Sequence, residues 1–175
     1  MRGMINELAR HTIRFLLLIF IQGLILKNVE AGMYINPFLY ILFILQLPFD
    51  IPAWFGMLLS FFTGMMVDIF YGTFGMHMAA CTFVGFARPR ILKLMSPRDG
   101  YEFGMTPTIQ DMGKAWFLTY TGLITLLHHF ILFNLEAFSL TEFFSTIIRV
   151  VVSSLATILL IVVTQFLLYR NKSGA

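Results

Sequence analysis

Residues 51–71 read IPAWFGMLLSFFTGMMVDIFY, an unbroken apolar run with a single charged group, Asp68. As an α-helix a run of this length is about 30 Å long, the thickness of a bilayer's hydrocarbon core. The stretch is therefore read as a membrane-spanning helix, and the sequence on either side repeats the pattern.

Working outward, charges and Pro/Gly clusters divide the chain into six apolar stretches, at about 12–28, 33–47, 51–71, 75–92, 115–135 and 143–169. The expectation is an all-α membrane protein, a six-transmembrane-helix bundle forming one integral membrane domain over 1–175. The 33–47 stretch is short, with Pro37 near its start and Pro48 after its end. The 93–114 link is long, rich in Gly and Pro, and reads as an irregular loop with one helical turn near 108–114. Composition agrees: 58% of the 175 residues are apolar and 12% charged, with mean hydropathy +0.82. A water-soluble domain needs more charge to cover its surface. The first stretch follows Arg2, Arg10 and Arg14 as a signal peptide would, but 27–31 lacks a small-x-small cleavage pattern and a retained helix is expected.

Orientation follows from lysine and arginine. With the N-terminus inside, the cytoplasmic segments carry Arg2, Arg10 and Arg14, then Arg88, Arg90, Lys93, Arg98 and Lys114, then Arg170 and Lys172. The outer segments carry Lys27 alone. Both termini are thus expected in the cytoplasm. The formal charge of +3 does not imply a nucleic-acid partner, because the basic residues sit at helix ends rather than along one stripe. Arg88 and Arg90, flanking Pro89, are expected to meet lipid phosphates.

Ionisable groups inside the bilayer cost roughly 2.5–3.5 kcal/mol each and need a reason. Asp68 and Arg149 fall at similar depth near the outer side, where His77 opens the fourth stretch and His128 and His129 approach on the fifth. An Asp68–Arg149 contact, direct or through water, is expected, since each would otherwise be unpaired in low dielectric. Three roles stay open for this polar cluster: locking helices together, a ligand pocket, or a partner contact. Gly56, Ser60, Gly64, Asp68 and Gly72 recur every fourth residue, a ridge that lets another helix approach closely. Packing within the chain, against the helix that follows the turn at Gly72 and Gly75, is favoured over a partner interface. Gln22 and Gln46 read as interhelical hydrogen-bonders, and Cys81 as a small buried hydrophobe. No phosphate loop, dinucleotide fingerprint, metal-ligand set or nucleophile with its base is evident, so neither an enzyme nor a cofactor or metal is expected.

The order of features carries a resemblance. Gln22 is followed by Asn36-Pro37-Phe38-Leu39-Tyr40-Ile41 and Leu47-Pro48. Then come Phe62-Thr63-Gly64-Met65-Met66-Val67-Asp68-Ile69-Phe70, Gly75-Met76-His77-Met78-Ala79-Ala80 and Arg88-Pro89-Arg90. Over residues 10–95 the chain resembles the rod shape-determining MreD family of bacteria. The resemblance implies a non-enzymatic inner-membrane scaffold of the cell-elongation complex that makes peptidoglycan. Its implied partners are a bitopic MreC-type protein, the cell-wall synthase complex and membrane lipids. It also implies an architecture similar to the substrate-binding subunits of energy-coupling-factor transporters. A vitamin or small-molecule transporter subunit is the alternative; residues 15–24 lack the Ala-x-x-x-Ala docking pattern common in those subunits.

Overall fold

The computed structural model describes residues 2–28, 35–102, 105–138 and 143–169, with side chains over 9–167 of that range. Residues 33 and 34 of the expected second span, Gly104, Glu142, Arg170 and Lys172 lie outside the described residues. Helix α1 (Arg2–Phe20) continues through a π turn (Ile21–Ile25) and a 3-10 turn (Leu26–Asn28). It is followed by α2 (Ile41–Leu45), α3 (Ala53–Tyr71), α4 (Met76–Leu94), α5 (Ile109–Met112), α6 (Lys114–Ala137) and α7 (Phe143–Tyr169). The described residues are all helix and connection. α4 packs between α3 and α6, and α7 packs on α6.

Among the described residues four helical stretches are long and apolar enough to cross a membrane: Ala9–Asn28, Ala53–Tyr71, Lys114–Ala137 and Phe143–Leu167. α4 has the length but carries Arg88, Arg90 and Lys93 in its last two turns, which lowers its hydropathy. The apolar side chains on these stretches that face outward, such as Leu17, Leu24, Ile69, Leu155 and Leu159, are more than half exposed. That is the pattern of helices whose solvent is lipid.

The second expected span is corrected. Over 35–47 only Ile41–Leu45 is helical, and Phe38–Leu47 are all buried within the bundle. Pro37 has no N–H to give a helix and disfavours helical backbone at Asn36, while Pro48 stops propagation beyond Leu47. The segment is an interior strut rather than a lipid-facing helix. Irregular backbone at membrane depth is tolerated only where protein covers it, and here the other helices do.

The α3–α4 hairpin consumes the small-residue ridge. A Cβ on Gly64 would lie 2.4–2.6 Å from backbone atoms of His77 and Met78. Gly85 of α4 faces Ser60 in the same way, its Cβ position only 2.6 Å from Ser60 Oγ and 3.0 Å from Met57 Cα. Gly72 and Gly75 sit in the turn with φ of +68° and +81°. Gly56, at the other end of the ridge, is buried but has room, with Ile51 Cγ2 at 3.7 Å the nearest contact. The ridge thus serves packing within the chain.

Gly64→Ala should therefore destabilise the protein by about 1–3 kcal/mol, since only a shift of α4 can relieve the overlap. Gly56→Ala should melt within a degree or two of the unsubstituted protein. Thermal unfolding in detergent compares them, and equal midpoints for the two variants would contradict this account of the hairpin.

Candidate functional site

At the end of the bundle where α3 turns into α4, polar side chains collect around the strut. Its backbone has lost water and needs partners. Gln22, carried inward by the π turn and fully buried, supplies three contacts. Its Nε2 donates to the Pro37 carbonyl at 3.1 Å and to the Tyr71 hydroxyl oxygen at 2.7 Å. Its Oε1 accepts the Leu39 amide at 2.8 Å. From α7, Thr157 Oγ1 accepts the Phe38 amide at 3.0 Å and Ser153 Oγ accepts the Asn36 amide at 3.1 Å. Gln46 does not act as expected: it is buried beside α2 with its Oε1 unpartnered.

Asp68 is buried, and both of its oxygens are taken. Oδ1 accepts the Thr73 hydroxyl and the His77 amide, the latter at 3.1 Å, and Oδ2 accepts the Met78 amide at 2.9 Å. These amides belong to the first turn of α4, whose N–H groups lack partners inside the helix. The carboxylate caps that helix from the preceding one and meets the positive end of its dipole. The expected Asp68–Arg149 contact is therefore corrected. Arg149 pairs with Glu136 instead, Nη1 to Oε2 at 3.0 Å and Nη2 to Oε1 at 3.2 Å. Its guanidinium lies 4.2 Å from the centre of the Phe133 ring. With the Asn36 amide oxygen turned toward it, Arg149 also donates from Nε at 3.2 Å and Nη2 at 3.1 Å.

The three histidines come together around Phe38, and two of them, His77 and His128, share the hydroxyl of Tyr40, a strut residue that the sequence does not single out as a site. Its hydroxyl lies 2.8 Å from His77 Nδ1 and 2.7 Å from His128 Nε2. His129 Nδ1 is 2.8 Å from the Thr125 carbonyl and its Nε2 is 3.3 Å from Thr157 Oγ1. A carbonyl only accepts, so His129 carries its proton on Nδ1, and Thr157 donates to Nε2 while accepting from Phe38. Phe38 packs its ring 5.2–6.1 Å from all three imidazoles. Cys81, buried as expected, has its Sγ 3.7 Å from His128 Nε2.

At the opposite end Arg88 is also corrected. It is buried, and donates to the Leu47 carbonyl and, at 2.9 Å, to the Tyr120 hydroxyl, so it serves the backbone just beyond α2 rather than meeting lipid. Arg90 alone of the pair is exposed, over the Phe86 ring at 4.2 Å. The loop beyond α4 contains its helical turn, α5, with Thr108 Oγ1 accepting the Asp111 amide at 3.3 Å.

Above the histidines a cavity of about 340 Å³ is bounded by Leu26 and Lys27, by Asn36–Phe38 of the strut, by Tyr71, Thr73, Met76 and His77, and by Leu132, Glu136 and Arg149. Among the described residues no group of three or more His, Cys, Asp or Glu is placed to hold a metal ion. The chain matches no family model, no curated protein and no solved structure.

Two variants separate these roles. Asp68→Ala, which strips acceptors from two buried amides, should cost about 1–3 kcal/mol. Glu136→Gln breaks a partly exposed pair and should cost at most about 1 kcal/mol. Detergent melting curves decide, and a larger loss for Glu136→Gln would overturn the assignment of Asp68 as the helix cap. Tyr40→Phe keeps the ring but unpairs two imidazole nitrogens; a loss of about 1–3 kcal/mol is expected by the same measurement.

Proposed function

We propose that this chain is a non-enzymatic scaffold of the bacterial cell-elongation complex, seated in the cytoplasmic membrane with both termini inside. It binds a bitopic MreC-type protein and, through it, the cell-wall synthase complex. The observation that carries this reading is the resemblance over residues 10–95 to the MreD family. The residues that make up the resemblance, Gln22, Gly64, Asp68, Gly75 and His77, are spent on holding helix to helix and strut to helix. A scaffold needs such a rigid interior and an apolar exterior for lipid and partner helices. The broad exposed apolar faces of α1 and α7 supply that exterior.

The alternative, a substrate-binding membrane subunit of a small-molecule transporter, has one observation in its favour, the polar cavity beside His77.

Purification of the tagged protein from its native membrane in mild detergent, followed by mass spectrometry, tests the two. A single-pass protein with a coiled coil outside the membrane, together with a wall polymerase, is the expected result. Recovery of ATPase subunits with a coupling membrane subunit would replace the scaffold reading with the transporter one.

A further inference from the structure

The cavity beside His77 has an excess of hydrogen-bond donors, and this sets the chemistry it can accept. Arg149 and Glu136 neutralise each other across it. Lys27 stands on the 3-10 turn with its Nζ on the Phe70 carbonyl and 5.8 Å from the Tyr71 ring centre. One bond leaves an ammonium with two further protons to give. The Asp68 carboxylate does not balance that charge from within the cavity, because its oxygens are turned to Thr73 and to the start of α4.

Two neutral donors join Lys27. The Tyr71 hydroxyl accepts from Gln22, so its own proton is free, and no acceptor for it lies among the described residues. His77 is 3% exposed. Its Nδ1 is bound to Tyr40, while its Nε2 has no hydrogen-bond partner among the described residues, and the residue lines the cavity.

The proton position on His77 follows from its neighbour. His128 Nδ1 is sealed in the core without a partner. An orphaned buried N–H is rarer than an orphaned acceptor, so His128 carries its proton on Nε2 and donates it to Tyr40. Tyr40 then donates to His77 Nδ1, and the remaining proton of neutral His77 sits on Nε2, facing the cavity.

We infer that this cavity is a binding site for a small organic carboxylate, held by Lys27 and by the Tyr71 hydroxyl and His77 Nε2–H. A volume of about 340 Å³ lies at the small end of ligand pockets, which run from about 300 Å³ upward. It suits an acid of about one ring, with Phe38 and Met76 as its apolar wall. An oxyanion meets three donors there, whereas a cation or a donor-rich amine meets mainly donors. The inference stands apart from the scaffold reading, because it concerns the ligand of one cavity and not the company the protein keeps.

The test uses the full-length protein in detergent, with nicotinate, benzoate and 4-hydroxybenzoate as probes and their carboxamides as neutral counterparts. Thermal shift and calorimetric titration are read on the unsubstituted protein, Lys27→Met, Tyr71→Phe and Lys93→Met. Lys27 is exposed and its loss leaves the core intact, so that variant stays folded even if Tyr71→Phe does not. At least one acid should bind while its carboxamide does not. Lys27→Met should weaken binding about tenfold or more, the loss of one charged hydrogen bond, and Lys93→Met at the other end of α4 should change nothing. The inference is overturned if no acid binds at millimolar concentration, if the carboxamides bind as tightly as the acids, or if Lys27→Met binds like the unsubstituted protein. None of these results bears on which proteins copurify, so the failure of this inference and of the scaffold reading are read separately.

Discussion

The constraint on which the rest of the structure depends is the backbone of residues 35–47. It runs through the interior, yet only five of its residues are helical, so its other N–H and C=O groups must find partners without water. An unpaired buried amide costs about 1–3 kcal/mol, and a segment with several would not stay inside. The partners arrive from three directions: Gln22 from α1, Ser153 and Thr157 from α7, and Arg88 from α4. Apolar packing between these helices is not directional and would accept many rotations. Hydrogen bonds of 2.8–3.1 Å to fixed carbonyls and amides do not. The strut thereby fixes the rotation of α1 and α7 about their own axes. The π turn in α1 is one visible consequence, since it accompanies the inward placement of Gln22.

The α3–α4 hairpin solves a second problem, how to start a helix in a poorly hydrated place. Its first amides need acceptors, and Asp68 lies one short glycine turn away. A carboxylate there meets several preorganised donors at little conformational cost. Arg149 would have offered a flexible side chain from α7, which packs on α6 rather than on α3. The helix start therefore wins Asp68, and Arg149 takes an acid of its own helix pair, Glu136.

Much of this was legible in the sequence, and the failures have identifiable causes. Long apolar runs place α3, α6 and α7 within a few residues, because hydropathy and length alone decide them. The every-fourth-residue ridge correctly points to packing against α4, since a four-residue connection lays α4 directly alongside α3. The second span fails because apolar composition does not distinguish a helix in lipid from a strut in protein, and Pro37 was the signal that the latter applies. Asp68–Arg149 fails because pairing by charge overlooks backbone amides, which carry no letter in a sequence. Glu136 went unnoticed because α6 extends to Ala137, two residues further than its hydropathy suggests. Tyr40 and Thr157 had no sequence signal of their own; each matters only because the fold brings it opposite a histidine.

The strut also explains why the cavity lies where it does. A regular helix through 35–47 would present side chains all round and fill the space between α1, α3 and α7. The non-helical backbone at 35–38 leaves a gap at its end, bounded by Lys27, Tyr71 and Arg149. The same irregularity demands polar neighbours, and those neighbours have more hydrogen-bonding capacity than the backbone consumes. Gln22 spends its amide on the strut and so frees the Tyr71 proton; Tyr40 spends its hydroxyl on two histidines and so frees His77 Nε2. Inside the bundle such surplus is suppressed by pairing, at a cost where pairing is incomplete, as at His128 Nδ1. At the gap it is left over among the described residues. The break in helical structure and the donor-rich cavity are thus one feature, produced by a single short segment that is helical only over Ile41–Leu45.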